Sequence, residues 1–570
     1  MRRPRRSTVI ALLAYWLLAI VLTKAMWADP SGRSLAGNPN DEVLFEWFLA
    51  RTAHAVTHLD LSLITHLMNV PKGVNLMANT SIIVPGLIVT PVTLVFGASA
   101  SFVLLLTLGP ALTAWTSYLA LRRLVHNPGA AVVGGLVFGF CPAMVAQSLS
   151  HLHMTLAFLI PLILMQVYDL VATTKPPATI AVRLAVLTVL QIFIGEEWLF
   201  IAALLSIAAL VWLAVCRPNR VLPVSIRLVQ GGGLALVLVL VVAGYPLWVQ
   251  FYGAQSVTGS PFLFGFFSTD LQGYFLPSSL QRFGSEADKA ASLSLRGGIT
   301  EQNANLGWPF LLVVSTAAVL LRRSLLARAA VGAAITMVVL SLGPALVVAN
   351  KEYGLLLPWH YVARLPVFEA ALPIRFPFAV WLMAAVLVAL AVDRVTRARP
   401  AVSVAPLTVI LLSLLLLVPR PFETVDVTPV PRYFTTDVQR DVPDGATVLV
   451  VPVATPQNVE AMRWQVAAGM RFAMPGGFHI APAGEDRRAF FSPDGRPTQD
   501  TLTKIHKGEP YAGLDDGVRA AAQADLAYWG ATHILLGPSP RQAELRAFLT
   551  GVTGAEPRDS GGVFVWDLRD

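Results

Sequence analysis

Long apolar segments with almost no charge constrain this chain more than any other feature. Of its 570 residues, 55% are hydrophobic and 13% are charged, whereas about a quarter of the residues of a soluble protein carry charge. Several windows reach the roughly 18 residues that a helix needs to cross a hydrocarbon core about 30 Å thick. The sequence therefore predicts a polytopic α-helical membrane protein.

The basic residues indicate how the segments alternate across the membrane. The net charge of +8 lies mostly in short clusters between apolar segments, a pattern typical of cytoplasmic loops rather than of nucleic-acid binding. With every cluster cytoplasmic, the chain makes about eleven crossings and its N-terminus is cytoplasmic. The clusters are Arg2, Arg3, Arg5 and Arg6, then 122–123, Lys175, 217–227, 322–328, and Arg394, Arg397 and Arg399.

Span length gives approximate positions for these crossings. The first apolar run lacks a convincing cleavage site, so we expect a retained helix rather than a signal peptide. The predicted crossings lie near 8–27, 99–121, 131–147, 153–173, 178–194, 197–216, 229–250, 308–321, 329–349, 376–393 and 403–418.

One apolar segment, 81–96, does not fit this series. It is short and contains Pro85, Gly86 and Pro91. Counting it as a crossing would reverse the side of every later basic cluster. We therefore expect a re-entrant or interfacial helix.

The last part of the chain differs in composition. Residues 420–570 are rich in charge, Gly and Pro and contain no spanning segment. The runs 446–453, 531–536 and 562–568 predict strands, and 459–470 predicts a helix. The chain is thus expected to hold a transmembrane domain at 1–419, with a first outer loop at 28–98, and a small α/β extracytoplasmic domain at 420–570.

An acidic pair, Asp41 and Glu42, directly follows the first crossing at the start of an expected helix at 43–56. One carboxylate could act as a base or ligate a cation while the other positions a substrate. Alternatively, Asn40 or Asp41 caps the helix and Glu42 favours its positive end.

Other polar residues are predicted on the same side of the membrane. His151 and His153 precede a crossing, Glu196 and Glu197 occupy a sharp turn, and Arg375 opens a crossing. The histidines could contact a phosphate or a metal, and Arg375 a phosphate. The two glutamates could bind water, a cation or a basic partner. All of these residues could equally be interfacial, and Arg375 could simply pair with Glu369.

The loop 251–307 is expected on this side too. It is too long for a simple connection, which favours a role in substrate gating. It contains the polar stretch GGITEQNANLG.

This architecture resembles the GT-C class of integral-membrane glycosyltransferases, which includes protein mannosyltransferases, the lipid A aminoarabinose transferase and oligosaccharyltransferases. The resemblance is closest to uncharacterised actinobacterial GT-C-like proteins. It rests on the acidic pair in the first outer loop, the many helices and the C-terminal outer domain. The stretches that carry it are NPNDEVLFEWFLARTAHAV, NVPKGVNLMANTSIIVPG, SHLHMTLAFL and MRWQVAAGMRFAMPGGF.

The resemblance implies a reaction on the outer face of a bacterial plasma membrane. A polyprenyl-phosphate-linked sugar would be the donor, and a glycan, lipid or protein of the cell envelope the acceptor. Asp41 or Glu42 would act as base or hold a divalent cation, Mg or Mn, with Asp41 and His153 as its ligands. The phosphate would meet positive charge from residues among His151, His153, Arg375 and Lys72.

Related enzymes carry an acidic residue in the second outer loop where this chain has histidine, which puts metal dependence in doubt. Two alternatives follow. A non-catalytic scaffold of envelope assembly would keep the architecture without the reaction. A lipid or polysaccharide transporter would need charged residues near the bilayer midplane, whereas the acidic residues here are predicted at one rim.

Overall fold

A computed structural model of the protein describes residues 6–149, 151–365, 367–398, 400–493 and 495–569, with no side-chain description at 400–403. Arg2, Arg3, Arg5 and Arg399 of the basic clusters lie outside the described residues.

Apolar helices form most of the first part of the chain. The helices in this part are α1 (Arg6–Ala28), α2 (Pro39–His58), α3 (Ile83–Phe96), α4 (Ala98–Leu121), α5 (Pro128–Gly139), α6 (Pro142–Gln147), α7 (Leu152–Thr155), α8 (Ile160–Ala172), α9 (Pro177–Ile192), α10 (Glu197–Cys216), α11 (Val221–Tyr252), α12 (Glu286–Ser294), α13 (Trp308–Leu320), α14 (Leu325–Ser341), α15 (Trp359–Val362), α16 (Pro377–Thr396) and α17 (Pro400–Leu416). Four of them, α3, α4, α11 and α17, continue through an interior proline.

Five helical segments of the described chain are long and apolar enough to cross a membrane, which agrees with a multi-pass membrane protein. They are α1, α4, α10, the segment Pro218–Tyr252 and the segment Pro373–Thr396. Helix α3 has 14 residues. At 1.5 Å per residue it is about 21 Å long, less than the roughly 30 Å of a hydrocarbon core.

Three predicted crossings are interrupted. The segment 131–147 divides into α5 and α6 around Phe140 and Cys141, and 153–173 divides into α7 and α8. The segment 329–349 is wrong as a single helix, because α14 ends at Ser341 and a strand follows at Ala345–Val348. Gly343 has a φ of 77° and precedes a proline, so the helix cannot continue through it.

Short strands occur in the loops and a larger sheet in the C-terminal region. The strands are β1 (Arg33–Leu35), β2 (Ile64–Thr65), β3 (Val74–Asn75), β4 (Ala345–Val348), β5 (Lys351–Leu356), β6 (Thr424–Asp426), β7 (Val448–Val451), β8 (Ile480–Ala483), β9 (Arg488–Phe491), β10 (His533–Leu536), β11 (Arg558–Ser560) and β12 (Val563–Asp567). The C-terminal helices are α18 (Arg432–Thr436), α19 (Val438–Asp441), α20 (Glu460–Ala467), α21 (Pro497–Lys507), α22 (Asp516–Trp529) and α23 (Gln542–Thr553).

The four-stranded sheet has the order β11-β12-β10-β7. Strands β7 and β10 are parallel, and β12 runs antiparallel to β10. Every residue of β7 and β10 is buried, as expected for apolar strands covered on both faces. The strands predicted within 446–453, 531–536 and 562–568 are therefore present, as is the helix within 459–470.

The segment 28–98, predicted as the first outer loop, and the C-terminal region are packed together. Strand β1 pairs with β6 in an antiparallel register. The indole Nε1 of Trp47 on α2 donates to Oε1 of Gln465 on α20 at 2.6 Å. Gln465 Nε2 donates to the carbonyl oxygens of Leu67 and Phe472, each at 2.7 Å. Helix α2 is thus held between the apolar helices and the C-terminal region.

We expect Gln465→Ala to destabilise the protein, because it leaves a buried indole N–H and two carbonyl oxygens without their partner. The free energy of unfolding should fall by about 1–3 kcal/mol, measured as a lower apparent unfolding temperature of the purified protein in detergent. Gln439→Ala is the control, since Gln439 is exposed. Equal unfolding temperatures for the two variants would contradict this role.

Candidate functional site

Helix α2 places Asp41 at the start of its first turn. Asn38 is the N-cap, and its side chain accepts from the Asp41 backbone N–H, while Pro39 suits the first helical position. The expectation that Asn40 or Asp41 caps this helix is therefore wrong. Because the cap is supplied by Asn38, the Asp41 carboxylate is available for other contacts.

The Asp41 carboxylate lies beside His151. Its Oδ2 is 3.3 Å from His151 Nε2 and accepts from Asn38 Nδ2 at 2.7 Å. The Asp41 side chain retains 21% of its exposure, compared with 14% for His151. Asp41 is thus a partly exposed carboxylate with an imidazole next to it, and unlike Glu197, which is 22% exposed, it is not held by Arg375.

The buried side chain of Arg375 contacts two further carboxylates, Glu197 and Glu301, near Asp41 and His151. Arg375 Nη1 is 2.6 Å from Glu197 Oε2, and Nη2 is 2.5 Å from Glu301 Oε1. Its Nε also donates to Glu301 at 3.0 Å. The predicted pairing with Glu369 is wrong, because Glu301 occupies the guanidinium fork. Arg375 therefore positions carboxylates and has little capacity left for a forked phosphate contact.

His153 meets the same group from α7. Its Nε2 is 3.7 Å from Glu197 Oε2, and its ring stacks on Phe45 of α2 at 5.8 Å between centroids. Helix α7 can approach α4 closely because residue 109 is glycine: a Cβ there would lie 2.8 Å from the Thr155 carbonyl oxygen. Asp41, His151, His153, Glu197, Glu301 and Arg375 are called the ion-pair cluster below.

Several polar atoms of the ion-pair cluster lack hydrogen-bond partners in the described part of the chain. They are Nδ1 of His151, Nδ1 of His153, Oε1 of Glu197 and Oε1 of the adjacent Gln147. Gln147 uses its Nε2 to donate to Glu301 Oε2 at 2.8 Å. Buried polar atoms are nearly always satisfied in proteins, so such a concentration marks a place where a polar ligand can bind.

The remaining predicted residues lie elsewhere. Glu196 accepts from Gln250 Nε2 at 2.7 Å and makes no described contact with Arg375. Lys72 is exposed in the turn between β2 and β3. Glu42 is buried and accepts from the Leu35 backbone N–H at 2.8 Å. The structure thus brings together Asp41, His151, His153, Glu197 and Arg375, but not Glu196, Lys72 or Glu42.

Glu42 lines a cavity of about 480 Å³ between α2, the α3–α4 junction and the C-terminal region. Glu46, one turn further along α2, lines the same cavity together with Arg463. Burial and the neighbouring Glu46 raise the pKa of Glu42 above its usual range. Burial likewise raises the pKa of Glu46, against the lowering effect of Arg463.

The ion-pair cluster does not form a ready metal site. Among the described residues, no group of three or more His, Cys, Asp or Glu side chains is arranged to hold a metal ion. Asp41 contacts His151 rather than His153, and Glu197 and Glu301 are engaged by Arg375. Because Mg and Mn favour several oxygen ligands, these residues alone do not fit such a cation.

Glu301 and Asn303 are the residues that sequence reasoning missed. Asn303 Nδ2 donates to Glu301 Oε2 at 2.8 Å and to the Ile374 carbonyl at 3.0 Å. Both residues belong to the stretch TEQNAN of the loop 251–307, directly before α13. The sequence feature that could have identified them is the run of amide and carboxylate side chains just before an apolar helix.

The fold is that of a GT-C-like membrane glycosyltransferase, as the resemblance implied. The mycobacterial arabinofuranosyltransferase AftD matches with a TM-score of 0.56 at 16% identity, over 99% of this chain and 40% of that chain. This chain therefore spans about two fifths of the length of AftD. At this identity the likeness shows the fold alone.

Two further solved structures are less similar. An oligosaccharyltransferase of Archaeoglobus fulgidus has a TM-score of 0.45 at 13% identity, over 93% of this chain and 69% of that one. ArnT of Cupriavidus metallidurans, bound to undecaprenyl phosphate, has a TM-score of 0.42 at 13% identity, over 98% and 96%. No curated protein matches the sequence.

Residues 8–418 match the model of a family described as a domain of unknown function, DUF6311. The chain belongs to this family. The matched region holds the apolar helices and the whole ion-pair cluster.

We expect Glu46→Gln to stabilise the protein at alkaline pH. A carboxyl group whose pKa is raised on folding contributes stability that is complete below its unfolded pKa of about 4.3 and is lost as pH rises through the folded pKa. The apparent unfolding temperature of Glu46→Gln should therefore exceed that of the wild type at pH 8, by on the order of 1–3 °C, and less so at pH 5.

The exposed Glu485 provides the matched control, as Glu485→Gln changes the same chemical group outside any cavity. A difference between Glu46→Gln and wild type that is the same at pH 5 and pH 8 would rule out titration of Glu46 as the cause.

Proposed function

We propose that this protein is a membrane glycosyltransferase that moves a sugar from a polyprenyl-phosphate-linked donor to an acceptor of the cell envelope. The acceptor is a glycan, lipid or protein on the outer face of a bacterial plasma membrane. The observation that carries the proposal is the partly exposed Asp41 carboxylate beside His151, at the edge of a buried ion-pair cluster. The GT-C-like fold supports sugar transfer as the type of reaction.

Asp41 is proposed as the general base. Its carboxylate removes the proton from an acceptor hydroxyl, whose oxygen forms a bond to the anomeric carbon of the donor sugar. The bond between that carbon and the phosphate oxygen breaks, and the polyprenyl phosphate leaves with the electron pair. His151 and His153 are proposed to bind the phosphate through Nδ1, because in each residue this ring nitrogen is buried and unpartnered.

Arg375 is proposed as a positioning residue. By holding Glu197 and Glu301 it fixes the two carboxylates next to His153 and His151. It also joins the N-terminal end of α10 to the start of α16, so the site is built from the ends of rigid helices.

The proposed orientation places the ion-pair cluster outside the cell. Helices α10 and α16 begin at the cluster and end beside Arg217 and Arg397, which supports a cytoplasmic location of the basic ends. Eleven crossings would need the five long helices and all the shorter apolar helices except α3, although α5, α8 and α13 are no longer than α3. The C-terminal α/β domain would then lie outside the cell, on the side of the ion-pair cluster from which an acceptor is proposed to enter.

Asp41→Asn should reduce sugar transfer by about 100-fold or more, because the amide cannot accept the acceptor proton. The measurement is release of polyprenyl phosphate by the purified protein in liposomes, with a panel of polyprenyl-phosphate sugars and an envelope extract as acceptor. The unfolding temperature should stay near that of the wild type.

Asp444→Asn, in an exposed position of the C-terminal region, should leave transfer unchanged. Glu42→Gln discriminates between the adjacent carboxylates: loss of transfer in Glu42→Gln but not in Asp41→Asn would assign the base to Glu42 instead. Binding of a sugar lipid without turnover by the wild type would favour the non-catalytic scaffold.

A divalent cation remains a prediction, and the mechanism above does not depend on it. If Asp41 and His153 hold Mg or Mn together with the donor phosphate, EDTA should abolish transfer and either metal should restore it. Full transfer in EDTA would show that the side chains alone support the reaction.

A further inference from the structure

A cavity larger than the one that Glu42 lines is found at the end of the helices away from the ion-pair cluster. It has a volume of about 1050 Å³ and lies between α4, α8, α10, α11, α14 and α16. Helix α10 begins at Glu197 in the ion-pair cluster and is followed by Arg217 at the mouth of this cavity. Twenty residues of helix, or about 30 Å, separate Glu197 from Arg217. The inner end of the cavity, at Leu205, is about 12 Å from Glu197 along α10, and no residue of the ion-pair cluster lines the cavity.

The cavity is apolar inside and positively charged at its mouth. Leu205, Met165 and Met383 contribute to its walls, and Arg217, Arg220 and Arg227 lie at one end. No Asp or Glu is among its described lining residues. A ligand that fills it must therefore combine an apolar body with a negative group.

The arginines at the mouth are differently constrained. Arg227 is fixed by donating from Nε to the Leu170 carbonyl at 2.9 Å and from Nη2 to the Lys175 carbonyl at 2.8 Å. Arg217 and Arg220 are exposed, and among the described residues their side chains have neither a hydrogen bond nor an ion pair. They retain their full donor capacity for a phosphate, which guanidinium groups bind in a forked geometry.

The depth of the cavity matches one leaflet of a bilayer. Along α10 it extends from Leu205 to Arg217, or about 18 Å at 1.5 Å per residue. Half of a hydrocarbon core is about 15 Å thick. Acyl chains could thus fill the apolar part while a headgroup phosphate lies at the level of the arginines.

We propose that this cavity, named the arginine cavity, binds an anionic phospholipid from the membrane leaflet next to Arg217 and Arg220. Basic pockets between transmembrane helices are known to hold anionic headgroups. The proposal does not depend on the proposed glycosyl transfer, because it uses residues at the other end of the helices. A bound lipid here would join α10, α11 and α14 where protein contacts leave a gap.

The test uses the purified, delipidated full chain. Phosphatidylglycerol and phosphatidylcholine are added at equal concentrations, and bound lipid is measured by native mass spectrometry together with the unfolding temperature. Phosphatidylglycerol should bind more tightly and raise the unfolding temperature. Equal binding of both lipids would overturn the proposal, because the arginines would then contribute no selectivity.

Two variants address the site itself. The double variant Arg217→Gln/Arg220→Gln should weaken phosphatidylglycerol binding by roughly tenfold or more. Its matched control is Arg322→Gln/Arg323→Gln, which removes two exposed arginines between α13 and α14, just before the lining residue Leu325. Equal loss in both pairs would show a diffuse charge effect and overturn the site.

Ala209→Phe fills the arginine cavity without removing charge, since Ala209 lines it. This variant should lose lipid binding while its unfolding temperature without lipid stays at or above that of the wild type. Unchanged phosphatidylglycerol binding would place the lipid elsewhere. Displacement of phosphatidylglycerol by polyprenyl phosphate at equal concentration would assign the cavity to the donor lipid and overturn the phospholipid proposal.

Discussion

The contact of Arg375 with Glu197 and Glu301 is the interaction on which the candidate site depends. Moving an arginine and two carboxylates out of water is costly, and their mutual attraction offsets this only when the geometry is good. Arg375 meets this condition through three donor atoms and side-chain exposures of 8% for itself and 2% for Glu301. The contact joins a loop and two helices far apart in sequence, so the fold and the site form together.

Because Arg375 and Glu301 are buried and bonded to each other, the residues next to them are the ones that can act on a ligand. Glu301 and Arg375 satisfy one another, and Gln147 and Asn303 complete the contacts of Glu301. Asp41 and the two histidines are not hydrogen-bonded to Arg375 among the described residues; Asp41 is 21% exposed and each imidazole has an unpartnered nitrogen. Glu197 is held by Arg375 but keeps an unpartnered Oε1. A rigid group of one guanidinium and two carboxylates, with a few unsatisfied polar atoms at its edge, is the arrangement expected of a preorganised polar site.

The sequence predicted the parts of this molecule that depend on local patterns. Helix α10 begins and ends where the apolar run 197–216 does, and β7 lies within the run 446–453. Residues that meet only through long-range contacts were harder to predict. Arg375 and Glu301 are 74 positions apart, and no periodicity relates them. Glu42 was placed with Asp41 because they are adjacent, yet neighbouring helical positions are about 100° apart, so the two side chains point in different directions.

The two ends of the helices differ in how they satisfy charge, and this difference follows from what surrounds each end. Around the ion-pair cluster the first outer loop, the loop 251–307 and the C-terminal region cover the helices, so charged groups there are buried and must pair within the protein. Around Arg217 and Arg220 the connections are short and supply no acid to the cavity. Positive charge can remain unpaired there because water and lipid headgroups are within reach. Other cations at this end do pair internally, since Arg123 and Lys175 contact the buried Asp169 and Arg397 contacts the buried Asp393. Arg217 and Arg220 differ from them, which is why the proposed anionic lipid is placed at these two arginines.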